Sequence, residues 1–393
     1  MIYDAIVVGS GPGGAVAASV LAERGKSVLL VDRQTFPRDK VCGDGLPGNI
    51  MQLLDTRLNV DIVKAGLKFK QIRGVAISAP SKSSLVVKEQ PHKYFSMASP
   101  RFNFDTMLHE HALKSGAKFE IMDVSGPLLS SNGALAAANG RQRVVGIVER
   151  QGKQHIEHEA RVVIAADGAS SAIARGVRGR VSDTRDTAIA IRGYGKLKNP
   201  MPDYVYFKYL LQLVPGYGWI FPVSEDRVNV GVGLFDQGLY RQRGQSLRAL
   251  MDEFVGILQS EFSFEMEEDT VKSWPIPVWL STESRVVKGA YLVGDAGRFV
   301  DALTGGGIYP AMITGLQAAE AVIKYLEGAD AETAQRAYDT AWRGGIARSL
   351  RKADLVQRYV GSKPGIFNAI FWVGEKFPTL RGYLLSALAG QHT

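Results

Sequence analysis

The sequence predicts an α/β protein: a parallel sheet assembled from separated segments, a second layer of antiparallel strands, and a run of C-terminal helices. Three observations carry this. Short apolar runs at 3–8 (YDAIVV), 28–32 (VLLVD), 161–168 (RVVIAADG) and 290–297 (AYLVGDAG) read as buried strands of one kind, although they lie far apart. Residues 67–95 and 188–235 instead alternate apolar and polar side chains (IRGVAISA, YVYFKYLLQLV, RVNVGVGLF), the period of half-buried antiparallel strands. From about 329 onward the pattern is helical, without repeats or low-complexity tracts.

Taken in order, the first two strands flank GGAVAASVLAERGK, a helical stretch that Gly25 closes, giving a βαβ unit at the N-terminus. The third and fourth strands each end in an Asp–Gly or Gly–Asp turn. The fourth leads through TGGGIYPA into a long helical pattern over 308–326. Residues 245–262 read as an amphipathic helix lying on the antiparallel layer.

Composition sets the outer limits. The 43 glycines among 393 residues exceed the usual share of about 7% and point to tight turns and close backbone approach to a ligand. One cysteine, Cys42, permits no internal disulfide and favours a reducing, cytoplasmic setting. The N-terminus lacks the basic start and cleavage site of a signal peptide, and no apolar run reaches membrane-spanning length. The net charge of +8 comes without basic blocks interleaved with aromatics, which argues against nucleic acid; an anionic cofactor or peripheral contact with an anionic membrane fits the sign. The six histidines are scattered, so no metal site is expected.

Gly9-x-Gly11-x-x-Gly14 follows the first strand directly and opens the helix, with Asp32 ending the next strand. That context gives the glycine pattern its meaning. Gly9, Gly11 and Gly13 allow backbone amides to approach a pyrophosphate at the helix N-terminus, Gly14 lets helix and strand pack closely, and Asp32 suits a ribose diol, with Arg33 beside it. A second signal, GDAGRFVDALTGGGI at 294–308, selects the dinucleotide. Asp295 at a strand end can bond a ribityl hydroxyl. The loop Thr304 to Gly307 (Gly305, Gly306, Gly307), with Ile308 opening the helix, brings amides and a helix dipole to a flavin ring. FAD is therefore the expected cofactor. No second GxGxxG follows an apolar strand as a nicotinamide domain would need, so NADPH binding transiently, or a reduced carrier protein, is the expected electron donor.

The fingerprint, AADGASS around Asp167 and Gly168, and GDAGRFVDALTGGGI together resemble the FAD-binding segments of the para-hydroxybenzoate hydroxylase-type fold. PRDKVCGDGL at 37–46, SPRFNFDTMLHEHA at 99–112, YGWIFP at 217–222 and RVNVGVG after it resemble, more narrowly, the geranylgeranyl reductase family. The resemblance covers roughly residues 1–325. It implies a discontinuous Rossmann-like FAD-binding domain (1–66, 96–180 and 281–328), a substrate-binding domain (67–95 and 181–280) and a C-terminal helical region (329–393).

It also implies that Asp167 and Gly168 face the cofactor, that Arg101 and Asp105 flank it, and that Cys42 lies at the flavin's reactive face. Gly43 and Gly45 then let that loop pass close to the ring, while Lys40 reads as solvent-exposed. A thiol there can donate a proton to a carbon that has just accepted hydride, or simply shape the pocket. Tyr217, Trp219 and Phe221 share one strand face and read either as an aromatic wall suited to a long apolar substrate or as core aromatics between the layers; Tyr217 or a water is the alternative proton donor. WPIPVW at 274–279 reads either as a further lining segment or as an edge strand returning to the sheet.

The reading that follows is an FAD-dependent reductase of isoprenoid C=C bonds. The alternative is an FAD monooxygenase or halogenase acting on an aromatic or other small natural product, although the W-x-W-x-I-P pattern usual in halogenases is missing. A non-enzymatic flavin-binding protein is the third reading. The apolar segment 365–390 fits a cap over the substrate tunnel, an interfacial anchor or packed core helices.

Overall fold

The computed structural model describes residues 2–81, 84–130, 142–179, 187–235, 244–278, 282–361 and 363–377. Trp279 and the part of the C-terminal apolar segment beyond 377 lie outside the described residues.

At the centre of the first sheet is β1 (Tyr3–Val8), whose last four residues are buried. It pairs in parallel with β2 (Val28–Asp32) on one side and with the strand Gln154–Ala165 on the other. Lys118–Ile121 extends the parallel set beyond β2, and Ala290–Leu292 beyond Gln154–Ala165. Separated apolar runs thus assemble into one sheet. The strand expected at 161–168 is twice as informative as its apolar core. It begins at Gln154, where exposed and half-buried residues alternate in a meander with Val144–Gln151, and ends buried in the parallel sheet at Ala165.

Helix α1 (Pro12–Glu23) starts with proline in its first turn and ends against Gly25, whose φ of +69° is the left-handed conformation glycine tolerates best. It packs on the long helix Ile308–Leu326 almost backbone to backbone. A Cβ on Gly315 would lie 2.1 Å from the Gly13 carbonyl oxygen, and one on Gly13 would lie 2.8 Å from that of Ala311.

The second sheet has seven strands, in the order Phe264–Pro277, Thr187–Leu197, Arg227–Leu234, Tyr217–Pro222, Tyr204–Lys208, Gly74–Ser78 and Ser84–Lys88. It is antiparallel except at one seam, where Tyr204–Lys208 runs parallel to Gly74–Ser78. The seam joins two pieces distant in sequence, so the alternation that revealed each strand said nothing of their relative direction. The pattern expected through 204–214 also stops early: the chain leaves the sheet after Lys208, and Leu213 and Val214 are buried in a turn. One sheet face packs Ile220, Val228, Val230 and Val232 against the helix Leu247–Gln259; the other carries Tyr217, Trp219 and Phe221. A small sheet of Gly45–Leu46, Met97–Ala98 and Lys70–Gln71 lies between the layers.

The C-terminal helices divide their allegiance. Tyr338 and Trp342 of Ala331–Gly344 are buried against the parallel-sheet core. Phe371 of Pro364–Lys376 is buried in the aromatic cluster of the second sheet, while Trp372 and Phe377 stay exposed. No helix among the described residues is long and apolar enough to cross a membrane.

Candidate cofactor and active site

A cavity of about 1780 Å³ runs between the two sheets. Its walls include Gly9, Gly11, Gly13, Asp32, Arg33, Cys42, Arg101, Asp167, Gly168, Asp295, the loop Gly305–Gly307 with Ile308, and Tyr217, Trp219 and Phe221. Of the residues expected at the cofactor, Gly14 and the fully buried Asp105 do not line it. A Cβ on Gly14 would sit 1.8 Å from the Gly9 carbonyl oxygen, so Gly14 serves the packing of α1 on its own strand. The volume exceeds the several hundred Å³ of an ordinary small-molecule pocket, leaving space for a large cofactor and a second ligand.

Two helix N-termini open into this cavity. α1 is capped by Gly11 and Ile308–Leu326 by Gly307; neither cap offers a side-chain hydrogen bond, and neither first turn holds an acid. The unpaired N–H groups at both helix starts, beginning at Gly13 in α1 because Pro12 has none, are therefore left for a ligand, with the helix dipoles favouring negative charge. Gly11 shows the fit most directly. A Cβ on it would meet only an Arg38 guanidinium nitrogen, 3.7 Å away, so the bare approach there is not demanded by protein packing. Asp32 accepts the Ser10 amide (2.9 Å) and the Gln34 amide (3.1 Å), which fix its carboxylate at the strand end. Arg38 bridges Asp32 and Asp105 at 3.6 and 3.3 Å.

The Asp167 carboxylate points elsewhere than the resemblance implies. It accepts the Ala172 amide (2.7 Å) and the Ser171 hydroxyl, capping the helix Ala172–Arg178, so that chiefly the turn Asp167–Gly168 faces the cavity. Arg101 is buried and grips Asp105 through two nitrogens, at 2.5 and 2.7 Å. Burial opposes its charge, but Asp105 and contact with the Cys42 sulfur outweigh that and raise its pKa.

Around the thiol the structure departs from the sequence in instructive ways. Cys42 Sγ accepts the Asp44 amide at 3.3 Å. Its neighbours Gly43 and Gly45 are pressed against the aromatic wall: a Cβ on Gly43 would lie 3.3 Å from both Phe221 and Trp219, and one on Gly45 3.3 Å from Phe221. The close approach expected of these glycines is thus made to the wall. Lys40, expected exposed, is half-buried with Nζ 4.7 Å from the Trp274 ring centroid; burial depresses its pKa although Asp295 opposes this. The cation lies on an apolar face that only the fold creates.

The wall is continuous. Phe207 meets Tyr217 and Phe221 edge-on at 5.3 and 5.1 Å, and Phe235 lies 5.8 Å from Tyr217. Gly231, paired with Trp219 across the ladder, leaves space for the indole; a Cβ there would fall 2.2 Å from it. The Tyr217 hydroxyl donates to the Thr304 carbonyl, tying the wall to the glycine loop, and burial pushes its phenol well above the ordinary pKa.

Four functional neighbours were missed from sequence: Asp44, Asn229, Tyr194 and Arg192. Asn229 left a signal as the single amide in the apolar run VNVGVG, since a buried polar group needs a partner. Asp44 lay in plain view between two glycines but reads as a turn residue. Tyr194 and Arg192 left none, because their partners are some 150 residues away.

Two empty-ended helices, a ribose-competent acid and a flavin-sized loop define a flavin-dinucleotide protein. The chain belongs to the FAD binding domain family, whose model matches residues 2–351, and it is an FAD-dependent oxidoreductase. Among curated relatives it is 31% identical over 330 residues to the menaquinone reductase of Mycobacterium tuberculosis, covering 81% of this chain and 76% of that one. It is 31% identical over 350 residues to digeranylgeranylglycerophospholipid reductase 1 of Methanopyrus kandleri, covering 87% and 86%. A geranylgeranyl bacteriochlorophyll reductase-like protein from Thermoplasma acidophilum superposes with a TM-score of 0.80 over 98% of this chain and 99% of that one, at 23% identity. A flavin-dependent brominase superposes at 0.72 over 99% and 94%, also at 23% identity. At that identity the structural neighbours show the fold alone.

Proposed function

We propose that this protein is an FAD-dependent reductase of isolated C=C bonds in an isoprenoid chain. The observation that carries this is the contact of the Cys42 loop with Trp219 and Phe221 inside the cavity that also opens onto Gly305–Gly307. An extended apolar chain fits along the rest of the wall, in the part of the cavity lined by Val205, Phe207, Tyr217 and Phe235. The reductase names of the two curated relatives support the same chemistry.

When bound, FAD supplies the hydride. The protein does the rest. The backbone N–H groups of Gly11 and Gly13 (Pro12 between them has none) and of Gly307 and Ile308 would receive the anionic parts of the cofactor, and Asp32 and Asp295 would hold its hydroxyls. The aromatic wall excludes water and lays the alkene across the site. Saturation needs one proton per hydride, and Cys42 Sγ is the donor: its thiol borders the cavity, beside Arg101. Tyr217 holds the glycine loop against the wall, since its own proton is engaged by Thr304. Electrons return from NADPH or a reduced carrier protein. The exposed Trp372 and Phe377, on and just after the last described helix, suit contact with the membrane that would hold such a substrate.

The test is anaerobic. Protein reduced with dithionite is mixed with a geranylgeranyl lipid, and flavin absorbance and product mass are followed. Flavin reoxidation with a gain of two hydrogens per double bond supports the proposal. Reoxidation by oxygen alone, with an oxygenated product from an aromatic substrate, would replace it with a monooxygenase.

A further inference from the structure

We propose that Asp44 is the positioning residue of this site: it anchors the Cys42 loop to the second sheet and so fixes where the thiol stands at the cavity. The proposal deepens the reductase reading and rests on it for the importance of Cys42.

Asp44 is fully buried, with its backbone at φ +64°, in the left-handed region that, glycine apart, aspartate and asparagine enter most readily. Its carboxylate is saturated with donors. Oδ2 accepts the Tyr194 hydroxyl at 2.7 Å and Asn229 Nδ2 at 2.8 Å; Oδ1 accepts the Arg101 amide at 3.3 Å. The backbone joins in: the Asp44 carbonyl accepts the Ser99 amide at 3.0 Å, and the Asp44 amide donates to Cys42 Sγ. One residue therefore touches the thiol, the start of the Arg101 helix and two strands of the other sheet.

Its partners are themselves fixed. Asn229 donates to the Cys42 carbonyl at 2.7 Å as well as to Asp44, and its Oδ1 accepts Trp219 Nε1 at 2.8 Å. That pattern uses the amide in one orientation only. Through it the loop and the indole are referenced to the same side chain. The Tyr194 ring lies between two guanidinium groups, Arg192 at 4.6 Å and Arg227 at 4.1 Å. Arg192 in turn holds the front of the loop, donating to Asp39 and to the Lys40 carbonyl at 3.3 Å. The segment Asp39–Asp44 is thus clamped at both ends by the substrate-side sheet. Hydrogen bonds to a buried charge are the strong kind, and an isosteric amide at 44 turns a donor toward donors.

Cys42 is the only cysteine, so modification by iodoacetamide reports on this loop alone and needs no substrate. On the FAD-loaded protein, Asp44→Asn should raise the labelling rate about tenfold, the scale of one lost charge-assisted hydrogen bond. Tyr194→Phe removes one tether without changing charge and should raise it about threefold. In turnover both variants should lower kcat while KM stays within about twofold, the signature of an effect on the reacting groups rather than on substrate capture. Should Asp44→Asn fail to fold, Tyr194→Phe carries the test alone. Labelling rates within twofold of wild type would overturn the proposal. Labelling shifts without isoprenoid turnover in the wild type would leave the anchor standing and remove the reductase reading.

Discussion

The two ends of the cavity are built on different principles. At the fingerprint end, Gly9 to Gly14 and Asp32 are close in sequence, and the site is made of backbone amides left over at a helix start. At the thiol end, Asp39 to Asp44 is a loop without a partner strand of its own over most of its length, held by side chains from residues 192, 194 and 229. On the proposed reading the first end receives phosphate and sugar, which every dinucleotide shares. The second shapes the space for a substrate, and there the protein relies on long-range polar clamps that can be altered one residue at a time.

The comparison breaks most visibly within the fingerprint itself. Gly14→Ala places a methyl group 1.8 Å from the Gly9 carbonyl oxygen, so the strand–helix packing must yield. It should lose about 3 kcal/mol or more of stability and purify colourless. Gly11→Ala meets only open cavity and a flexible arginine. It should fold with an unchanged melting temperature yet bind FAD about a hundredfold more weakly, because its cost falls on the phosphate approach. Flavin absorbance and thermal melts on the two variants separate these outcomes. Equal damage in both would mean that the fingerprint is only a packing device.

At the other end the expected losses are in turnover. Cys42→Ser keeps size and polarity but removes the more acidic proton. It should lower kcat for alkene reduction about 10²-fold with full FAD content, measured by product mass after single-turnover mixing. A serine variant with wild-type kcat would return Cys42 to the role of pocket filler.

How far the sequence reached follows the same division. The βαβ unit and the places of Asp32, Asp295, the glycine loop and the aromatic strand at the cavity were legible because each is a local pattern. The parallel seam at Gly74–Ser78, the burial of Lys40 and the Asp44 cluster were not. Each depends on which distant segment arrives as neighbour, and one chain's periodicity does not encode that. Asp167 lies between the cases: its place at the cavity was legible, while its duty as a helix cap required seeing that Ala172 turns back onto it.

Protonation sharpens the comparison at smaller amplitude. Burial pushes the Asp44 carboxyl up to about 6 from an ordinary 3.8, against the hydrogen bonds from Tyr194 and Asn229 that favour its charge. With a folded pKa above the unfolded one, the folded protein binds the proton more tightly. Its contribution to stability is full below the unfolded pKa and is lost as pH rises through about 6. Relative to Asp44→Asn, wild type should therefore gain about 2–3 kcal/mol between pH 7 and pH 4. Denaturant melts at the two pH values measure this difference; a flat difference would show that Asp44 keeps its charge at no cost.

The smallest effect belongs to Lys40. Its ammonium sits over Trp274 and extends the clamp on the Cys42 segment to a third strand, Phe264–Pro277. Lys40→Gln should cost about 0.5–1 kcal/mol, and most of that should vanish in a Trp274→Leu background. Combined with Gly11→Ala the same substitution should be additive, since the fingerprint holds its loop through backbone and shares no partner with the indole. A double-mutant cycle on each pair puts the division of the cavity into numbers. Coupling confined to Lys40 and Trp274 means that the substrate end can be reshaped without loosening the cofactor. Coupling of similar size to Gly11 would mean that the two ends move together, and that the clamp senses whether FAD is in place.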